Sequence, residues 1–234
     1  MEKTSARRNP QDIWDWRSSR HKGTTAGHNY EPWLERWQPL LEAGRGVPVL
    51  DLGCGLGYDS LYLTGQGFQV IAADFSSGAL RTACRTATQA RAVQLNLGQG
   101  LPFPDGTFRT IVANLSLHYF SQAQTQRIVA DVRRCLRMRG ILFARFNSTR
   151  DYNHGAVGHA EIEPGYFIVN GMPKRFFDQY SVQMLFQAGW RAHSIEEQVV
   201  HCYSKSKVVW ETVVEKEQHD ASITQQEDPW QTFS

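Results

Sequence analysis

A chain of 234 residues has room for one α/β domain with a full core, and its formal charge of +2 excludes a broad basic face of the kind that nucleic acid requires. Cys54, Cys84, Cys135 and Cys202 match neither zinc-ligand nor disulfide spacing, so no metal site is expected. No apolar run approaches the ~20 residues of a membrane span and no apolar leader opens the chain, which points to a cytoplasmic protein without a membrane partner.

Residues 1–29 are polar apart from Trp14 and Trp16 and read as an N-terminal arm or flap. Tyr30 to Ala43 reads as an amphipathic helix with Trp33, Leu34, Trp37 and Leu41 on one face and Pro32 in its first turn. The apolar run Val47 to Leu52, bounded by Gly46 and Gly53, is a buried parallel strand. Gly53, Gly55 and Gly57 then alternate where that strand must turn into a helix, and their lack of side chains lets backbone approach a ligand. A second strand, Phe68 to Ala73, ends at Asp74, which completes a βαβ unit with a nucleotide-type site at its first turn.

Spacing decides which nucleotide. A dinucleotide fingerprint starting at Gly53 needs its third glycine at position 58, where Tyr58 stands, and the Gly-Lys-Ser/Thr of a phosphate loop is absent. Asp51, at the tip of the first strand, repels a pyrophosphate and attracts an ammonium group, while Asp74 suits a ribose. A ligand with an adenosine-like ribose and a cationic amino-acid end fits both carboxylates, and S-adenosylmethionine is such a ligand.

Ser76 or Ser77 caps the next helix, whose stripe is Leu80, Ala83, Cys84 and Ala87; both Cys84 and Cys135 are expected in the core. Ala92 to Leu95 is a short strand ending at Asn96, and Thr107 to Ala113 is another ending at Asn114. Ser121 and Gln124 form a capping box before the stripe Ile128, Val129, Val132, Cys135 and Leu136, which Gly140 stops; Ile141 to Phe146 is a strand ending at Asn147. This alternation gives an α/β fold with a doubly wound, mostly parallel sheet. Asp51, Asp74, Asn96, Asn114 and Asn147 therefore converge at the carboxyl edge, where such sheets bind ligands. Residues 149–173, rich in Gly, His, Glu and Tyr with little periodicity, are a lid-like insertion over that edge. A helix over Ser181 to Ala188 and a hairpin of Arg191 to Tyr203 with Val208 to Lys216 close the body, 30–217, before a polar tail, 218–234.

The motif VLDLGCGLG at Val49 to Gly57 resembles that of the class I (Rossmann-like, seven-strand) S-adenosylmethionine-dependent methyltransferases, with a pattern similar to methyltransferase type 11. The likeness continues through Asp74-Phe75, through Asn96-Leu97 before Leu101-Pro102-Phe103, and through Phe108 to Phe120. It implies a seven-stranded sheet with an antiparallel C-terminal hairpin, and a cofactor site of Asp51, Gly53, Cys54, Gly55, Asp74, Phe75, Asn96, Leu97 and Asn114. In that arrangement Phe75 lies against the adenine, Leu97 offers it a backbone N–H, and Asn96 stands where the family usually has an Asp that accepts from the adenine amino group. His118 is placed as a general base or a polar wall residue, with Tyr119, Asn147, His154 and His159 on the acceptor side. Trp14-Asp15 with Arg17 resembles the entry segment of the thiopurine and tellurite-resistance groups, which closes over the methionine end of the cofactor. The expected activity is in-line methyl transfer to a small-molecule acceptor by a monomer or homodimer with no nucleic-acid partner. A non-catalytic cofactor-binding regulator and a nicotinamide-dependent oxidoreductase are the alternatives.

Overall fold

The computed structural model describes residues 30–217. The expected arm at 1–29, with its Trp14-Asp15 segment, and the tail at 218–234 lie outside the described residues. A 3-10 turn, Glu35–Trp37, leads into a short helix α1 (Gln38–Glu42), in place of the single helix expected over Tyr30 to Ala43; Pro39 in its first turn marks a fresh helix start. Then follow β1 (Val49–Leu52), α2 (Tyr58–Gly65), β2 (Val70–Asp74), α3 (Ser77–Thr86), β3 (Arg91–Gln94), β4 (Phe108–Asn114), α4 (Gln122–Cys135) and β5 (Leu136–Asn147). Ser76 caps α3 by accepting from Ala79 N–H at 3.0 Å, and Ser121 and Gln124 form the expected capping box on α4. That helix ends at Cys135 and passes straight into β5, so Gly140 belongs to the strand and is not the helix stop.

The main sheet has the order β3-β2-β1-β4-β5-β10-β9, where β9 is Trp190–Val200 and β10 is Lys207–Lys216. The first five strands run parallel; β10 lies antiparallel to both β5 and β9. Alternate strand residues feed two cores. Val49, Val70, Val112, Phe143 and Val213 pack with Trp33, Leu34, Leu41 and Leu63 from the N-terminal segment and α2. Leu50, Ile111, Leu142 and Val214 pack on the other face with Ile128, Val129 and Val132 of α4 and with Val182 of α5 (Gln179–Met184). The last of these helices is capped by Asp178, two to three residues earlier than expected. Cys135 is buried as anticipated, but Cys84 is exposed: the apolar stripe of α3 buries Ala79, Leu80 and Ala83 and leaves it outside. No helix among the described residues is long and apolar enough to cross a membrane.

The insertion is not an irregular loop. It folds into a three-stranded antiparallel meander of β6 (Ala160–Glu163), β7 (Tyr166–Val169) and β8 (Met172–Arg175). Asn170 and Gly171, with φ of +53° and +78°, make the two-residue turn between β7 and β8, and both left-handed values are those of the primed hairpin turn that Asn-Gly favours. The meander sits on the segment after β4. Tyr166 OH donates to Tyr119 C=O at 2.9 Å, and Glu163 accepts from Gln122 N–H at 2.7 Å. The buried Arg175 guanidinium pairs with Glu163, donates to Pro164 C=O at 3.1 Å and lies over the Tyr166 ring. At its root, buried Asp151 accepts from Lys207 Nζ at 2.7 Å and from Val208 N–H at 3.2 Å, which ties the insertion to the start of β10.

Candidate functional site

The turn after β1 holds itself together before it holds anything else. Gly53 and Cys54 N–H both donate to Ala73 C=O, at 2.7 and 2.9 Å, and Gly55 N–H donates to Asp74 Oδ2 at 2.9 Å. The N–H groups expected to face a ligand are thus committed to β2, and the turn's service is its lack of side chains. The glycines divide by what surrounds them. A Cβ on Gly53 would stand 2.3 Å from Ser116 Cβ, and one on Gly57 would stand 2.9 Å from Ala83, so both are packing glycines. A Cβ on Gly55, whose φ is +52°, would meet nothing within 4 Å. Cys54 is half-buried beside them, and burial pushes its thiol pKa up, so it is a neutral wall and not a nucleophile.

Three carboxylates crowd this end of the sheet. Asp51 is buried and accepts from Ser60 Oγ at 2.6 Å. Asp59, in the first turn of α2, is also buried and is a hub: Oδ1 accepts from Tyr30 OH at 2.8 Å and Trp33 Nε1 at 2.9 Å, and Oδ2 accepts from Asn114 Nδ2 at 2.8 Å. Asp74 accepts from Ser76 N–H at 2.8 Å as well as from Gly55. Burial, then the Asp59 charge, then Asp74, outweigh the Ser60 hydrogen bond and push the Asp51 pKa from 3.8 up to about 8.

A buried acid held above its unfolded pKa binds an extra proton in the folded state. Through the window from 3.8 to about 8 the free protein therefore loses stability as pH rises, as Asp51 is forced to ionise. A cation placed beside the three acids reverses this by favouring the carboxylate. Binding of an amino-acid ammonium at pH 7 should then expel up to about one proton, read as the dependence of the calorimetric enthalpy on the buffer's ionisation enthalpy. Asp51→Asn should abolish that dependence; a wild-type enthalpy independent of buffer would place the ammonium elsewhere.

Asp74 closes β2 at the carboxyl edge of the sheet beside the Gly55 turn, and a carboxylate there is the acceptor that two ribose hydroxyls require. Asp74→Ala should weaken nucleoside binding by about 1.5–3 kcal/mol, roughly 10- to 150-fold, because charge-assisted bonds are lost and the Gly55 turn loses its tether. An unchanged dissociation constant would show that the ribose is not there. Asn96 caps the turn Leu97–Gln99 by accepting from Gly98 N–H at 2.9 Å, so the oxygen meant for an adenine amino group already carries a local bond. Leu97 is buried beneath that turn, and Phe75 is half-buried at the end of β2.

On the other side of the crevice, Asn114 Oδ1, Asn147 Oδ1 and His118 Nδ1 are buried without hydrogen-bond partners. Asn147 Nδ2 faces Arg175 C=O at 3.4 Å, and the His118 and Tyr119 ring centroids are 4.1 Å apart. Burial first, then Lys207 and Lys174, hold the His118 pKa well below 6.5, so the ring is neutral at physiological pH and a weak base. His154 and His159 do not join this group. His154 Nε2 is 3.2 Å from Lys205 C=O with its ring edge-on to Tyr203, which makes it a rivet between the insertion's root and the hairpin turn, and His159 is exposed beside Gly155. Among the described residues no group of three or more His, Cys, Asp or Glu is arranged to hold a metal ion.

Sequence reasoning missed Asp59, Tyr30, Trp33 and Ser116. Asp59 stands two residues past Gly57 in the first turn of a helix, a position that reads as dipole-favoured surface. Only the indole and phenol hydrogen bonds, from 26 and 29 residues away, reveal it as part of the site.

Comparison with known proteins shows what this chain is similar to. Residues 49–140 match a family model described as a methyltransferase domain. An uncharacterized methyltransferase of Synechocystis sp. is 40% identical over 96 residues, covering 41% of this chain and 45% of that protein. The 18S rRNA (guanine-N(7))-methyltransferase of Bos taurus is 33% identical over 75 residues, covering 32% of this chain and 27% of that protein. The matched stretch thus spans less than half of either curated relative. Among solved structures, a SAM-dependent methyltransferase of Methanosarcina mazei shares the fold, with a TM-score of 0.65 at 19% identity over 76% of this chain and 97% of that one.

Proposed function

We propose that this chain is a class I, Rossmann-like methyltransferase that takes S-adenosylmethionine as its cofactor and passes the methyl group in line to a small-molecule acceptor. The observation that carries the reading is the acid cluster at the strand tips. Burial, then the charges of Asp59 and Asp74, hold the Asp51 carboxyl well above its usual range, and the methionine ammonium is a charge that would offset them. The open space at Gly55 and the orphaned Asn114 Oδ1 suit the same ligand, whereas a pyrophosphate would meet three carboxylates.

When bound, S-adenosylmethionine supplies a sulfonium methyl group that needs no covalent help from the protein. What remains for this chain is to align the acceptor and exclude water. Asp51, Asp59 and Asn114 hold the amino-acid end; Asp74 takes the ribose; the turn at Asn96 and Leu97 with Phe75 bounds the base. The meander β6–β8 roofs the segment of His118 and Tyr119, and its buried Arg175 contacts fix that roof in place, which favours a small enclosed acceptor over a macromolecule.

Calorimetry with S-adenosylhomocysteine and methyl transfer from labelled S-adenosylmethionine to small-molecule extract, to total RNA and to protein test this together. Micromolar cofactor binding with label in the small-molecule fraction is expected. Label in RNA would transfer the rRNA chemistry of the bovine relative to this chain. Tight binding with no labelled product in any fraction would mark it as a cofactor-binding regulator.

A further inference from the structure

Buried polar atoms without partners are rare, and here they point to the acceptor's chemistry. Four of them, Glu31 Oε2, Asn114 Oδ1, Asn147 Oδ1 and His118 Nδ1, belong to residues at the carboxyl edge or against it. Three are acceptors by construction. Asn114 must turn its Nδ2 to the Asp59 carboxylate, and Asn147 must turn its own to Arg175 C=O, so in both the oxygen is left over. Glu31 reaches Arg145 Nη2 through Oε1 at 3.4 Å, which leaves Oε2. The cofactor ammonium accounts for Asn114, beside Asp59. Glu31 is not accounted for.

Glu31 lines a pocket of about 300 Å³ with Tyr30, Val199, His201 and Cys202. This space lies where the N-terminal segment meets the end of β9, and Tyr30 OH joins it to Asp59 and so to the acids at the strand tips. The volume is at the small end of those that hold metabolites. Its polar feature is the half-exposed Glu31 carboxylate, whose Oε2 is buried and without a partner. A carboxylate, thiolate or oxyanion brought there would set lone pairs against lone pairs; an N–H group satisfies the orphan.

We propose that this pocket receives the methyl acceptor and that the acceptor is an amine, held through an N–H to Glu31 Oε2. The proposal rests on the methyltransferase reading above and narrows its substrate class. An amine that is an ammonium ion in solution first gives one proton to bulk water and docks as the neutral base, with its N–H on Glu31 Oε2. The nitrogen lone pair then forms the bond to the methyl carbon, the carbon–sulfur bond breaks with its electron pair going to sulfur, and the positive charge moves from sulfur to nitrogen. The methylated ammonium loses its proton to water after release. No strong base is needed, and the neutral, buried His118, which does not line this pocket, has no part in the step.

The test uses the full chain saturated with S-adenosylhomocysteine and three probes of one shape: benzylamine, benzyl alcohol and benzoate. Benzylamine should bind at least ~10-fold more tightly than benzoate. In Glu31→Gln, where Arg145 still finds a carbonyl oxygen, the ratio should fall below ~3. Cys202→Trp, which fills the pocket from the hairpin side, should remove benzylamine binding while S-adenosylhomocysteine affinity stays within ~3-fold. Benzoate binding as tightly as benzylamine, a preference that survives Glu31→Gln, or no benzylamine binding at ~10 mM would each overturn the amine and leave the methyltransferase reading standing. Failure of S-adenosylhomocysteine to bind the wild-type chain would overturn both.

Discussion

Gly55→Val is expected to abolish S-adenosylmethionine and S-adenosylhomocysteine binding, a loss of more than ~100-fold, while the protein still folds. The two outcomes separate because this glycine faces open space: an added Cβ meets no protein atom within 4 Å, so no packing clash drives unfolding. What the branch costs the fold is the left-handed φ of +52°, on the order of 1–2 kcal/mol and somewhat more for a β-branched residue. What it costs the ligand is the volume beside Asp74, whose carboxylate is tied to Gly55 N–H at 2.9 Å. Gly53→Ala is the control with the opposite signature, since its Cβ would stand 2.3 Å from Ser116 and must unsettle the fold itself. Calorimetry for the ligand and thermal melting for the fold give both numbers from one preparation. Normal cofactor affinity in Gly55→Val would mean that the open space belongs to nothing.

Arg145→Met should destabilise the fold by about 2–4 kcal/mol, because it takes the buried one of two cations from a buried carboxylate and leaves Glu211 to the half-exposed Arg36. Arg145 Nε and Nη2 lie 2.9 and 2.7 Å from Glu211 Oε2, and Glu211 is 1% exposed. The same guanidinium lies over the Trp33 ring at 4.6 Å, while Glu211 Oε1 takes Trp37 Nε1 at 3.0 Å and Arg36 at 2.5 Å. This pair pins the N-terminal segment, and with it the indole and phenol that hold Asp59. Cofactor affinity should therefore fall as well, by roughly 10-fold, although Arg145 touches no ligand. The double replacement Arg145→Met with Glu211→Leu should recover much of the stability, as removing both charges does at buried pairs. Urea unfolding reads the first effect. A loss under ~1 kcal/mol would show that apolar packing alone secures the segment.

The legible parts of this protein were those written in local runs. Buried parallel strands are short apolar stretches with nowhere to hide, so β1, β2, β4 and their terminal Asp51, Asp74 and Asn114 stood out, as did the Ser121 capping box. The hub at Asp59 did not, because its donors are brought from Tyr30 and Trp33 by tertiary packing. The meander was written but unread: Asn170-Gly171 between Tyr166–Val169 and Met172–Arg175 is a hairpin signature, obscured by strands of only four residues and by Pro173. His154 and His159 misled for a related reason. Side-chain chemistry suggested a pocket, but His154 serves the insertion's attachment and His159 lies on its exterior. The two residues expected on the adenine side, Asn96 and Leu97, look alike in sequence whether they face a base or cap a turn, as Asn96 does here.

The position of Glu211 has a consequence for how the protein comes into being. It lies on β10, the last strand among the described residues, yet that strand takes the penultimate place in the sheet, inserted between β5 and β9. Trp37, made early, waits for a partner 174 residues downstream. The first four strands can pair while translation continues, since each neighbour is already present. The clamp on the N-terminal segment cannot close until the end of β10 is released. A nascent chain would therefore own its glycine turn long before it could hold a cofactor, and competence would arrive late, in a single step, with β10.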